Sequence, residues 1–262
     1  MNKKCSLIIS SCDVFQDTWK PFSILFNKYW SNCPYPTYLI TNFLDFNQNK
    51  IKSFKVGEDK HWASNLKKVL DNIKSEYIIY LQDDYFLKEE IDNKGIENLI
   101  NIAQKENVAC LKLYPSPSPK NNYKNYKNIG EIKSGEKYRV SLQAAIWNTK
   151  ILKQLLIDGE SGWNMEIKGS GRSNSIKQPF LSIKKPVINY YFTGVVKGKW
   201  DYGVIPFLKN HNIEVDTKKR PVEPYRLYLK RKLRNIPVLK YLFIFIFKFT
   251  EKYKRIKNAK KA

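Results

Sequence analysis

Apolar positions change their period several times along the first half of the chain, and each change predicts an element. Ser6 to Ser10 is a short apolar run, the mark of a buried strand. Thr18 to Trp30 carries Trp19, Phe22, Ile24, Leu25, Phe26, Tyr29 and Trp30 at roughly helical spacing, with Pro21 read into a first turn, where a missing N–H is tolerated. Thr37 to Thr41 reads as a second strand. His61 to Ser75 places Trp62, Leu66, Val69, Leu70 and Ile73 on one helical face. Tyr77-Ile78-Ile79-Tyr80-Leu81 is a third strand, apolar on both faces, that runs into Gln82-Asp83-Asp84. Asn93 to Lys105 predicts a helix, Ala109 to Tyr114 a strand, Tyr138 to Trp147 a further strand and Thr149 to Leu156 a helix. Strands alternating with helices predict an α/β fold: a mixed, mainly parallel Rossmann-like sheet flanked by helices. Two stretches break the regularity and read as loops, Pro115 to Tyr126 and Gly169 to Asn174.

At 262 residues and 42% hydrophobic content the chain is long enough for a large buried core, which excludes a disordered protein. The four cysteines, Cys5, Cys12, Cys33 and Cys110, form no CxxC pair and read as reduced core residues. The apolar stretch after Lys3-Lys4 is too short for a signal-peptide h-region, and the longest apolar run, Tyr241 to Phe247, falls well below the roughly 18 residues of a membrane span. The expectation is a cytoplasmic protein.

The formal net charge is +23, and it is unevenly placed. Residues 1–216 carry a net +9, whereas residues 217–262 hold 16 Lys+Arg against 2 Asp+Glu. The division predicts a folded domain over 1–216 and a basic amphipathic tail over 217–262. Only 7 of the 47 basic residues are Arg, which argues against base-specific nucleic-acid reading and for diffuse attraction to phosphate or lipid headgroups. In residues 225–262, Tyr, Leu, Ile and Phe are interspersed with Lys and Arg, a pattern suited to an anionic membrane surface. A C-terminal helix packed on its own domain, or a dimer contact, fits the same pattern.

Asp83 and Asp84 should emerge at the carboxyl edge of a central strand, where open α/β sheets bind ligands. Two carboxylates there suit a hard cation, Mn²⁺ or Mg²⁺, whose remaining sites would go to water and a nucleotide's phosphate oxygens. A solvated turn or a helix cap is the structural alternative. The stretch Tyr77 to Leu87 resembles the strand and Asp-X-Asp motif of GT-A type nucleotide-sugar glycosyltransferases. Ser10-Ser11-Cys12-Asp13 with Trp19-Lys20-Pro21-Phe22, Trp62 to Leu66, and Ser141 to Trp147 with Gly162-Trp163-Asn164-Met165-Glu166 are similar to segments of the bacterial members that build capsule and lipopolysaccharide. The motif departs from the pattern by having Gln82 at its first position, so Asp84 corresponds to the second acid.

The resemblance implies a sugar transfer from a nucleotide diphosphate donor to a lipid-linked or lipopolysaccharide acceptor on the inner face of the cell membrane. It implies that Ser10, Ser11, Asp13 and Asp83 border the nucleotide, with Asp13 either bonding base or ribose or capping the next helix. Glu166 is the implied base, unless it is an exposed helix residue, and Trp163 and Trp147 are the implied sugar-stacking rings. Arg172, on a glycine-rich lid or a plain loop, and Lys197 with Lys199 are candidates for the diphosphate. His61 and His211 share no ligand spacing and read as structural. A nucleotidyl- or phosphotransferase would need a Gly-rich loop after the first strand, which Ser10 to Asp13 lacks. A non-enzymatic protein binding nucleic acid or an anionic membrane through its basic tail is the competing class.

Overall fold

A computed structural model describes residues 5–234, so the tail beyond 234, including most of the proposed membrane segment 225–262, lies outside the described residues. The chain divides into two compact units, Met1–Thr193 and Gly194–Ala262, a division that falls ahead of the change in composition at 217.

The first unit is built on an eight-stranded sheet in the order β3-β2-β1-β4-β7-β5-β8-β6, which is the mixed, mainly parallel α/β architecture expected. Strand β1 (Cys5–Ser10) lies between β2 (Thr37–Thr41) and β4 (Tyr77–Gln82), parallel to both. Covered on both faces, β1 and β4 have no solvent side, and Leu7, Ile8, Ile9, Ile78 and Ile79 are fully buried. Strand β3 (Ile51–Lys55) pairs parallel with β2 at the edge. Strand β5 (Cys110–Lys112) runs in the same direction, but β7 (Ala145–Asn148) is inserted antiparallel between β4 and β5. Strand β8 (Phe180–Ile183) pairs parallel with β5, and β6 (Ile129–Glu131) closes the far edge antiparallel to β8.

Helices α1 (Gln16–Trp30), α2 (His61–Asn72), α3 (Asn93–Lys105) and α4 (Thr149–Leu155) cover the sheet. The helix α1 starts at Gln16, after a 3-10 turn at Asp13–Phe15, so Pro21 falls in its second turn rather than its first. Asp92 caps α3 and Asn148 caps α4, each accepting a backbone N–H of the first turn. One face of α2 and α4 packs with β7 and β8 in a core of Leu66, Val69, Leu70, Trp147, Ile151, Leu155 and Phe180.

Two expectations change. The strand read into 138–147 is confined to its last residues, because the 138–142 segment is held not by a ladder but by Lys112 of β5, by Ser170 and by the bond of Ser141 Oγ to the Ser116 carbonyl. The predicted loop over 169–174 is helical: Gly162–Asn164 begins a composite helix that passes through a π stretch, Met165–Gly169, and an α turn, Ser170–Arg172, to a 3-10 turn at Ser173–Ser175. A Cβ at Gly169 would meet Met165 Sδ at 2.7 Å, so this glycine permits close packing within the helix.

In the second unit, β9 (Val195–Val196) and β10 (Lys199–Trp200) form a hairpin, followed by the helices Val204–Lys209 and Tyr225–Arg234. Arg231 of the last helix pairs with the buried carboxylates of Asp201 and Glu223. The start of the basic tail is therefore docked on acids of its own unit. Among the described residues no helix is long and apolar enough to cross a membrane.

Candidate active site

Strand order reverses at β1: the chain moves to β2 and β3 on one side and then crosses to β4 on the other. Such a switch point opens a crevice at the carboxyl ends of the two strands. The Asp83 N–H donates to the Ser10 carbonyl at 3.2 Å across it, so the acidic motif and the loop after β1 are in direct contact.

Asp83 points into this junction. Its Oδ2 accepts a hydrogen bond from Ser11 Oγ at 2.5 Å and lies 2.8 Å from Thr18 Oγ1, while Trp19 Nε1 donates to Ser11 Oγ at 2.7 Å. Burial, with the neighbouring Asp84 charge second, pushes the Asp83 carboxyl up to about 7, against the pull of the Ser11 and Thr18 hydroxyls. Asp84 Oδ2 accepts from Thr193 Oγ1 at 2.8 Å. Thr193 reaches it because residues 189–191 run antiparallel along 86–88, through Lys88 N–H to Asn189 O and Tyr191 N–H to Phe86 O.

The other wall comes from α2 and the composite helix. Trp62 Nε1 donates to Ser10 Oγ at 3.0 Å and lies 3.2 Å from Tyr80 Oη. Gly162 packs between Trp62 and Leu142: a Cβ there would lie 2.5 Å from Leu142 Cδ1. Trp163, next in the chain, is 62% exposed, and Glu166 follows one turn on. Glu166 Oε1 accepts the Leu142 N–H at 2.8 Å, and the Leu142 carbonyl accepts from Tyr85 Oη at 3.0 Å and Gln82 Nε2 at 3.3 Å. The backbone of one residue, Leu142, thus ties Glu166 to the acidic motif, its N–H on one side and its carbonyl on the other. Gln82, standing where the motif would have its first acid, is one of the ties. Burial raises the Glu166 pKa, and the Leu142 N–H and the Lys112 charge lower it in part. Behind Asp84, the rings of Tyr85 and Tyr190 stack at 4.5 Å, and Gln143 bonds both hydroxyls.

Several candidates are placed elsewhere or occupied. Both Asp13 oxygens are taken by the N–H groups of Asn42, Phe43 and Leu44, so Asp13 fixes the loop after β2 rather than offering its carboxylate to a base or ribose. Arg172 forms a two-pronged pair with the buried Glu160 and donates to the Leu155 carbonyl, which commits its guanidinium to the fold instead of a phosphate. Trp147 is 1% exposed in β7 and packs edge-on against Phe180, leaving no ring face for a sugar. Lys197 and Lys199 are exposed residues of the β9–β10 hairpin in the second unit. His61, exposed at the start of α2 in a left-handed conformation, donates its N–H to Asp59, and His211 Nδ1 contacts the Phe207 carbonyl.

For a cation, the donor set is narrow. Among the described residues no group of three or more His, Cys, Asp or Glu gathers to hold a metal ion. Asp83 has its Oδ2 engaged by Ser11 and Thr18. Asp84 fits a site completed by water and a diphosphate, since Mg²⁺ sites commonly use one or two carboxylates.

Sequence reasoning missed Tyr190 and Thr193, which meet the motif from more than a hundred residues away, and Lys112, whose burial has no local signal.

No protein-family model matches the sequence, and no curated protein does. Among solved structures, the chain is similar to S. aureus TarS residues 1–349 in complex with UDP-GlcNAc, at 11% identity and TM-score 0.49, over 75% of this chain and 60% of that one. It is also similar to a cytidylyltransferase from Leptospira borgpetersenii, at 11% identity and TM-score 0.40, over 62% and 68% of the two chains. A CMP:2-keto-3-deoxy-manno-octonic acid synthetase complexed with CTP follows at 10% identity and TM-score 0.34, over 66% and 83%.

Proposed function

We propose that this chain is a GT-A type glycosyltransferase that moves a sugar from a nucleoside diphosphate to a glycan or glycolipid acceptor of the capsule or lipopolysaccharide kind. The observation that carries the reading is the backbone of Leu142, whose N–H binds a half-buried carboxylate, Glu166, and whose carbonyl accepts from Tyr85 and Gln82 of the acidic strand end at the switch point.

In this reading Ser10, Ser11 and Trp62 border the nucleotide, and Trp163 offers its exposed ring to a sugar face. Glu166 Oε1 is held by Leu142, so Oε2 takes the proton of the acceptor hydroxyl. The acceptor oxygen forms a bond to the anomeric carbon as the bond to the diphosphate breaks, and the electron pair leaves with the nucleoside diphosphate. Burial, by raising the Glu166 pKa, makes it a stronger base than an exposed glutamate. Mn²⁺ or Mg²⁺ held by Asp84 would neutralise charge on the leaving diphosphate. In this reading the enzyme acts at the inner membrane face, to which residues 225–262 would bind. Within the described part of that tail, Tyr225, Leu227 and Leu229 are exposed beside Arg226, Lys230 and Lys232.

The test is release of nucleotide from a panel of UDP-, GDP- and CDP-sugars by the full chain with Mn²⁺. Turnover of one donor, reduced about 100-fold or more in Glu166→Gln, supports the proposal. Equal turnover by Glu166→Gln removes Glu166 as the base. Absence of turnover across the panel, with a cell-derived glycolipid fraction present, counts against the transferase itself.

A further inference from the structure

Lys112 is fully buried at the end of β5. Burying an ammonium is costly unless its donors are satisfied, and here they meet backbone carbonyls: Nζ donates to Ser116 O at 2.9 Å and to Tyr138 O at 2.5 Å. These two contacts tie the backbone at Ser116 and at Tyr138 to the end of β5. Ser141 Oγ donates to the same Ser116 carbonyl at 3.1 Å, and Ser170 Oγ lies 3.1 Å from Val140 N and 3.2 Å from Val140 O. The segment 138–142 is thus clamped at residue 138 by Lys112, at 140 by Ser170, at 141 through Ser116, and at 142 by Glu166. Tyr138 holds a left-handed backbone, φ +57°, which a bulky residue adopts only when its surroundings enforce it. The Lys112 ammonium on its carbonyl is part of that enforcement.

We propose that Lys112 is a positioning residue for Glu166, fixing the 138–142 segment that holds the carboxylate and supplying the buried positive charge that favours its ionised form. This rests on the reading of Glu166 as the base. The charged and titratable groups that act on Lys112 are Cys110 on its own strand, Glu136 on the 132–142 segment and Glu166 on the composite helix. Those acting with Glu166 are Lys112 and the phenols of Tyr80 and Tyr85. A neutral side chain at position 112 removes a cation that stabilises the Glu166 carboxylate and loosens the N–H that bonds it, and both changes raise the Glu166 pKa.

The experiment is an NMR titration of the Glu166 carboxyl carbon, assigned with Glu166→Gln, in wild type, Lys112→Met and Lys112→Gln, together with hydrogen exchange of the Leu142 amide. Lys112→Gln can still donate to one carbonyl, which keeps the test open if Lys112→Met does not fold. Expected is a Glu166 midpoint higher by roughly half a unit or more in both variants, with Leu142 exchange faster by about tenfold. Lys112→Arg should return the midpoint toward that of wild type. A folded neutral variant with an unchanged midpoint overturns the proposal, and a merely structural role for Lys112 would give that result. If the midpoint moves but the acidic limb of donor turnover does not follow it, the positioning role stands and the base assignment fails.

Discussion

Asp83→Asn gives a sharp test of how the acidic motif is built. The wild-type carboxyl, ordinarily near 3.8, is raised to about 7 by burial and by Asp84. Because the folded value lies above the unfolded one, the native state holds this proton more tightly than the unfolded chain. The stabilisation is therefore fully present below about pH 4 and is lost as pH rises toward 7. At about 1.4 kcal/mol per unit, the shift sets a ceiling near 4 kcal/mol, and with the Asp84 repulsion shared between the two groups a loss of roughly 2–4 kcal/mol is expected. Asparagine mimics the protonated acid, and its Oδ1 can accept from Ser11 and Thr18 as Asp83 Oδ2 does. In chelator, thermal unfolding should find variant and wild type close at pH 4.5. At pH 9 the variant should be more stable, by about 4–16 °C at 2–4 °C per kcal/mol for a domain of this size. Glu166, also raised by burial, leaves the variant a smaller slope of the same sign. A variant less stable at pH 9 than at pH 4.5, relative to wild type, would mean that the native state favours the ionised Asp83, and would refute this account of the site.

Gly162→Ala would drive a Cβ to within 2.5 Å of Leu142 Cδ1, forcing a new side-chain position on the residue whose backbone N–H binds Glu166. Expected is a modest stability loss, about 1 kcal/mol by urea unfolding, with a fall in donor turnover of about tenfold. Arg172→Ala strands the buried Glu160 and should cost about 2 kcal/mol in the same assay, while leaving nucleotide affinity unchanged, since Arg172 holds the fold. Flotation of the full chain with phosphatidylglycerol vesicles, but not with phosphatidylcholine vesicles, and its loss in high salt, checks the proposed membrane role of the basic tail.

The long, strongly patterned elements were legible in the sequence, as were the short β5 and α4, whereas β3, β6 and β8 were not. Strands β1 and β4 and helices α1 to α3 announce themselves because a strand covered on both faces is a continuous apolar run and a covering helix has one apolar face. Strands β6 and β8 have three and four residues, too few for a period to emerge. The stretch 169–174 reads as a loop because Gly and Ser weaken helical propensity, yet packing of Gly169 on Met165 and the Arg172–Glu160 pair hold it helical. For the site, the place of Asp83 and Asp84 at a strand end was readable and their unequal roles were not. Ser11, Thr18 and Thr193 decide which carboxylate turns inward, and none is adjacent to the motif in sequence. Trp147 misled for a related reason: nothing in a tryptophan's own identity separates a core ring from a sugar platform, and only the position of β7 between β4 and β5 does.

The central claim is a nucleoside diphosphate site at the β1/β4 switch point, and calorimetric titration of the full chain with UDP, GDP and CDP, each with and without Mn²⁺, tests it most directly. The account predicts saturable one-to-one binding of one nucleotide, strengthened by Mn²⁺, with that strengthening lost in Asp84→Asn. Absence of binding by all three, or binding that Asp84→Asn and Trp62→Ala both leave unchanged, would contradict it.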